Sequence, residues 1–116
     1  MHNFKKLEIW TKSINLVTEV YQITNTFPAI ERFGLISQMQ RSAVSIPTNI
    51  AEGSAKTSNK DFARFLEISI GSSFELETEL IVSYNLKYID TIVYENLSNT
   101  ISEIQKMIYG FKNKLD

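Results

Sequence analysis

The chain has 116 residues, 43 % of them apolar and 22 % charged, which is room for one domain around one core and too few consecutive apolar residues to span a bilayer. With no cysteine, disulfides, thiolate catalysis and Cys-based zinc sites are excluded, and with a net charge of −1 the chain lacks the clustered excess of Lys and Arg that a dedicated nucleic-acid binder uses to neutralise phosphates. The N-terminal MHNFKKLEIW has neither the apolar segment nor the cleavage site of a secretory signal, so residues 1–116 are expected to form a single cytoplasmic domain.

Leu7, Trp10, Ile14, Val17 and Tyr21 recur at spacings of three and four and predict a first helix from about Phe4 to Thr26 with those residues as its buried stripe. Phe27-Pro28 ends it, because the residue before a proline is pushed out of the α region. A second stripe, Leu35, Met39, Ala43, Ile46 and Ile50, predicts a second helix, and Gly53 suits a left-handed C-terminal cap. Pro47 lies inside that helix, where a missing N–H and a crowding ring cost about 3 kcal/mol unless compensated. Ser42, Ser45 and Thr48 can compensate through nearby carbonyls. The reading is a proline kink facing Ser69, Gly71, Ser72 and Ser73 on the third helix, where that helix is thinnest.

Ser54 to Asn59 is a polar connection, and Ser58 with Asp61 three residues on forms an N-terminal capping pair. The third helix then shows Phe62, Leu66, Ser69, Ser73, Leu76, Leu80 and Ser83 at four-three spacing, a seam with a small-residue middle that lets another backbone come close. Lys87 to Thr91 is a turn, and Val93, Leu97, Ile101, Ile104, Ile108, Phe111 and Leu115 give the stripe of a fourth helix. The fold class is therefore all-α: an antiparallel up-and-down four-helix bundle with a Pro-kinked second helix. Phe65, Ile68, Ile70, Phe74 and Ile81 lie outside the seam of the third helix, and this excess of apolar surface favours self-association.

The chemistry of known sites finds few footholds. A di-iron bundle needs Glu-x-x-His on two helices, and a triad hydrolase needs an internal histidine; the one histidine is His2. Isolated glycines at 34, 53, 71 and 110 make no phosphate-binding loop. No catalytic, cofactor-binding or metal-ligating residue is assigned, and no small-molecule substrate is evident. Tyr84, Tyr88 and Tyr94 have faces on which bases can stack, although aromatics at a turn more often serve as rim contacts. Glu52 stands in the last turn of a helix, against the macrodipole, so a cation is expected beside it. Arg41 and Arg64 are the candidates, with Glu31, Glu75, Glu77 and Glu79 competing for them, in ion pairs that fix helix register within or between subunits. Charge is uneven along the chain: residues 1–60 carry seven basic and four acidic side chains, residues 61–116 five and nine.

The blocks FPAIERFGLISQ, RSAVSIPTNIAEG and GSSFELET resemble, with the flanking sequence from Phe4 to Leu86, the bacterial 23S rRNA-intervening-sequence proteins, a family of four-helix bundles first described as reading frames within ribosomal RNA genes. The resemblance marks Arg41, Ser45, Pro47, Asn49, Glu52, Gly53, Gly71, Ser72, Glu75 and Glu77 as structural-motif residues. It implies a homopentameric barrel, no cofactor and no established enzymatic activity, hence an assembly or adaptor module. A related branch, the accessory proteins of diversity-generating retroelements, works beside a reverse transcriptase and binds nucleic acid through a basic surface. If that behaviour carries over to RNA or DNA here, Lys5, Lys6, Lys12, Lys56, Lys60 and Arg64 are the contact residues.

Overall fold

Side-chain caps start the two longest helices, Ser58 where the sequence places it and Asp90 within the turn expected before the fourth helix. The computed structural model describes residues 2–115 and contains four helices in up-and-down order: α1 (Glu8–Thr24), α2 (Leu35–Ser54), α3 (Asn59–Asn85) and α4 (Thr91–Asn113), with single 3-10 turns at Phe4–Lys6 and Ala29–Glu31. Ser58 Oγ accepts from the Asp61 N–H at 3.1 Å and Asp90 Oδ1 from the Val93 N–H at 2.8 Å, satisfying donors that the first turns of α3 and α4 leave open. The predicted first helix is shorter than expected. Leu7 is extended, at ψ 126°, and separates the Phe4–Lys6 turn from α1.

The core follows the predicted stripes on three helices. Leu35, Met39, Ala43, Ile46 and Ile50 of α2 are buried, as are all seven seam residues of α3 and Leu97, Ile101, Ile104 and Ile108 of α4. On α1 the expected stripe is wrong. Ile9, Ser13, Leu16, Val20 and Thr24 face the core, while Ile14 and Tyr21 are exposed and Trp10 and Val17 half-buried on the side toward α2. The inner face hides because two of its members are hydroxyls; Ser13 donates to the Ile9 carbonyl at 2.6 Å and Thr24 to that of Val20 at 2.9 Å, so each is satisfied locally and costs little to bury.

Helices α2 and α3 share the most extensive interface of the bundle, and small residues make it close. Ser45 and Ser72 hydroxyls meet at 2.7 Å, Ser69 Oγ donates to the Ile46 carbonyl at 2.8 Å, and Ser83 Oγ reaches Met39 Sδ at 3.3 Å. Gly53 is not the left-handed cap that its position suggested. It is buried within α2 with an ordinary helical backbone, and a Cβ there would lie 2.8 Å from both Phe62 Cδ1 and Phe65 Cβ, so its missing side chain is what admits α3. The left-handed residue is Lys87, at φ 65°, which ends α3 with the Tyr88 N–H bonded back to the Ser83 carbonyl at 2.9 Å.

Helix α2 runs unbroken through Pro47. The three carbonyls before the ring each receive a side-chain donor: Thr48 Oγ1 on Val44 at 2.8 Å, Asn49 Nδ2 on Ser45 at 2.9 Å, and Ser69 Oγ on Ile46. The residues just before the proline, Ser45 and Ile46, meet Ser72 and Ser69 of α3, and hydroxyls and an amide reinforce the turn that the ring weakens; Gly71 is exposed instead, and the ring itself lines the side toward α1.

Candidate interaction surfaces

The motif residues divide by depth. Ser45, Asn49 and Ser72 form one polar knot at the α2/α3 seam, with Asn49 Nδ2 donating to Ser45 Oγ at 3.0 Å as well as to its carbonyl. Glu77 points the other way and accepts from Gln105 Nε2 of α4 at 3.0 Å. Glu31 accepts from the Leu35 N–H at 3.2 Å and the Tyr88 hydroxyl at 2.9 Å, which clips the two turns at that end of the bundle together and raises the Tyr88 pKa. Arg41, Glu52 and Glu75, in contrast, are exposed and make no ion pair or side-chain hydrogen bond among the described residues. The expected pairing of Glu52 with Arg41 or Arg64 does not form. Arg41 and Glu52 stand eleven residues apart on one straight face, ~16 Å along the axis; Arg64 approaches Asp61 at 3.9 Å and stacks on Phe65, its guanidinium carbon 5.0 Å from the ring centre.

Glu79 is the one carboxylate among the described residues with a buried oxygen that lacks a partner. Ser42 Oγ donates to its Oε2 at 3.2 Å, but its Oε1 is shielded from solvent without a partner, and burial, reinforced by the neighbouring Glu75 charge, lifts its pKa above the ordinary 4.5. A carboxyl whose folded pKa is raised binds its proton more tightly in the folded state, so stability rises as pH falls from neutrality through the raised value and levels off below 4.5. Glu79→Gln is expected to be at least as stable as the parent at pH 7 and to lose that rise between pH 7 and 5. Urea midpoints at several pH values measure it; an unchanged slope would show that Glu79 is not its source.

Two apolar helix faces remain uncovered among the described residues, besides the largely exposed Ile30 and Phe33 of the α1–α2 connection. One is a groove of about 390 Å³ between α1 and α2, lined by Phe4, Trp10, Ile14, Val17, Val44, Pro47 and Ala51, with Thr48 and Glu52 on its rim. The sequence hides this groove because its α1 residues read as core. The other is the outer side of α3, where Ile68, Phe74, Ile81 and Val82 are all 40 % exposed or more. Of the extra apolar residues expected there, Ile70 is buried and Phe65 half-buried under Lys56 and Arg64. The tyrosines near the third turn are already engaged: Tyr84 stacks on Tyr94 with ring centres 4.4 Å apart, and Tyr88 packs on Phe27.

The candidate cations gather. His2 bonds through its backbone to Ser54 and rests its ring against Phe62 and Phe111, so the chain start, the α2–α3 connection and the end of α4 meet at one end of the bundle. Lys5, Lys6, Lys56, Lys60 and Arg64 lie at that end, with Lys12 about a turn and a half further along α1 and held by Glu103 at 2.7 Å. Lys106 and Lys112 of α4 and Lys114 just beyond it lie in the same half, and the sequence did not mark them. The opposite half carries Glu19, Glu31, Glu75, Glu77, Glu79, Asp90 and Glu95 against Arg32, Arg41 and Lys87. Charge is thus uneven along the bundle axis as well as along the chain, although Glu8, Glu52, Asp61, Glu67 and Glu103 share the basic half. No three His, Asp or Glu side chains converge into a cation-binding group, and no helix is long and apolar enough to cross a membrane, among the described residues.

Comparison with known proteins gives two findings. The family model described as 23S rRNA-intervening sequence protein matches residues 5–110. A crystal structure of a protein of unknown function from the S23 ribosomal protein family of Bacteroides thetaiotaomicron VPI-5482 superposes with a TM-score of 0.85 at 25 % identity, over 91 % of this chain and 96 % of that one. No curated protein matches.

Proposed function

The chain belongs to the 23S rRNA-intervening sequence protein family, and from that premise we propose that it is a non-enzymatic, cytoplasmic assembly or adaptor module that works as a homo-oligomer. The observation that carries this reading is the pair of uncovered apolar faces, the α1/α2 groove and the outer side of α3, on different sides of one small bundle. A monomer seldom leaves two such faces to water. Because the faces differ, a copy that docks its groove on a neighbour's α3 leaves both a free groove and a free α3 at the ends of the pair, and growth continues until a ring closes. The pentamer implied by the family resemblance is one such ring.

A second reading is favoured by the clustering of cations at one end: a nucleic-acid-binding accessory protein, in which several copies of a modest basic patch supply avidity that one lacks. One experiment addresses both. Solution mass by light scattering is expected to give more than two copies, with Ile14→Glu and Phe74→Glu each reducing the mass while helicity is kept; a parent protein that runs as a monomer overturns the oligomer. Passed over immobilised RNA at low and then rising salt, the assembled protein either is retained and released by salt, which supports the accessory role, or flows through at low salt, which removes it.

A further inference from the structure

Three charged motif residues without a partner among the described residues, Arg41, Glu52 and Glu75, fall with Arg64, which leans on Phe65 beside Asp61, into two matching rows. On α2, Arg41, Val44, Thr48 and Glu52 are exposed and share one face, beside the apolar groove. On α3, Arg64, Ile68, Gly71 and Glu75 are exposed at four-three spacing. In each row an arginine and a glutamate stand eleven residues apart, ~16 Å along the helix, with an apolar and small middle. The rows also run at the same heights in opposite directions. Gly53 against Phe62 and Phe65 puts Glu52 level with Arg64, and the Ser42–Glu79 and Ser45–Ser72 bonds put Arg41 within about a turn of Glu75. Gly71 adds an independent sign. Its place in mid-helix is unfavourable relative to alanine, yet a Cβ there would meet nothing within 4 Å, so the bundle itself does not need it bare.

We infer that a second copy of this chain, related by rotation about an axis parallel to the bundle, seats its α3 row on the α2 row, pairing Arg41 with Glu75 and Glu52 with Arg64 of the neighbour. The occupant is argued from charge complementarity. Parallel copies present α2 and the neighbour's α3 antiparallel, so both ends of the row meet an opposite charge; antiparallel copies would put arginine on arginine and glutamate on glutamate. Gly71 then lies at the middle of the contact, opposite Val44 and Thr48, where it lets the two backbones approach. The pairing gives Glu52 the cation that its own chain does not supply. This inference rests on the oligomeric reading and adds its register.

The test is reversal and restoration of charge in the full chain. Arg41→Glu and Glu75→Arg, made singly, are each expected to raise the concentration at which assemblies dissociate by roughly tenfold or more, with circular dichroism unchanged. The double variant Arg41→Glu with Glu75→Arg is expected to recover at least most of that loss. Gly71→Leu is expected to abolish assembly while leaving the isolated bundle folded. A parent that is monomeric fails the oligomeric reading and this one together. A parent that forms rings whose mass ignores the reversals, or is not restored by the double variant, leaves the oligomer standing and overturns the register, as does a dimer whose copies run antiparallel.

Discussion

Gly53→Leu is expected to destabilise the protein by about 3 kcal/mol or more, and Gly53→Ala by about 1–2 kcal/mol, against a gain of roughly 0.5–1 kcal/mol for Gly110→Ala. The three substitutions share one helix-propensity gain and differ in what the new atoms strike. At position 110 a Cβ meets nothing within 4 Å; at position 53 it comes within 2.8 Å of Phe62 Cδ1 and Phe65 Cβ. Phe62 cannot yield cheaply, since its buried ring is held between His2 and Phe111 at centroid distances of 5.0 and 5.5 Å. Relief requires α3 to move away from α2, which stretches the Ser69–Ile46 and Ser45–Ser72 bonds further along the same interface. Urea denaturation at fixed protein concentration measures the series. If Gly53→Ala behaves like Gly110→Ala, the close approach of α2 and α3 is not what position 53 protects.

How far the sequence leads depends on whether a residue's role is set by its own helix or by what lies across from it. The seam of α3 could be read in full because its leucines and serines recur at one unbroken spacing, and Ser58 could be read as a start because a cap acts on its own first turn. The inner face of α1 could not. Ser13 and Thr24 look polar until their hydroxyls are seen bonded to Ile9 and Val20, and Trp10, Ile14 and Val17 offer a better stripe that faces a groove instead. Gly53 shows the same limit, since a glycine at a helix end and a glycine under a phenylalanine are spelled alike. The charge asymmetry was visible in a count along the chain, but its direction in space was not, because up-and-down connection sends each half of the chain through the bundle twice and only the folded topology says which cations share an end. Glu52 was legible as a carboxylate in need of a cation, but its partner within the chain was not, because no cation of the same chain reaches it.

Pro47→Ala is expected to stabilise the isolated bundle by about 1–2 kcal/mol and to weaken assembly, a combination that a proline kept only for the stability of its own chain would not show. The substitution returns an N–H to the Ala43 carbonyl and removes a ring that crowds the preceding turn, a gain of up to ~3 kcal/mol; loss of the buried ring and a freer unfolded chain offset part of it. The native sequence already softens the defect, because Thr48, Asn49 and Ser69 each donate to a carbonyl in the turn before the ring. Ser69 is the diagnostic one, since it acts from α3. Its hydroxyl is expected to matter more when the ladder beside it is incomplete, so Ser69→Ala costs about 0.5–1 kcal/mol more with Pro47 than with alanine there, a coupling that a double-mutant cycle reads directly. The loss of assembly follows from the other side of the ring, which lines the groove with Trp10, Ile14 and Val17. Alanine deepens that wall by two carbons, and a partner shaped to it loses contact. Thermal unfolding of a variant held monomeric by Phe74→Glu, compared with the mass of the parent-like protein, separates the two effects. A lower stability for Pro47→Ala in the monomer would mean that the ring is an asset to its own helix and that the side-chain donors around it are incidental.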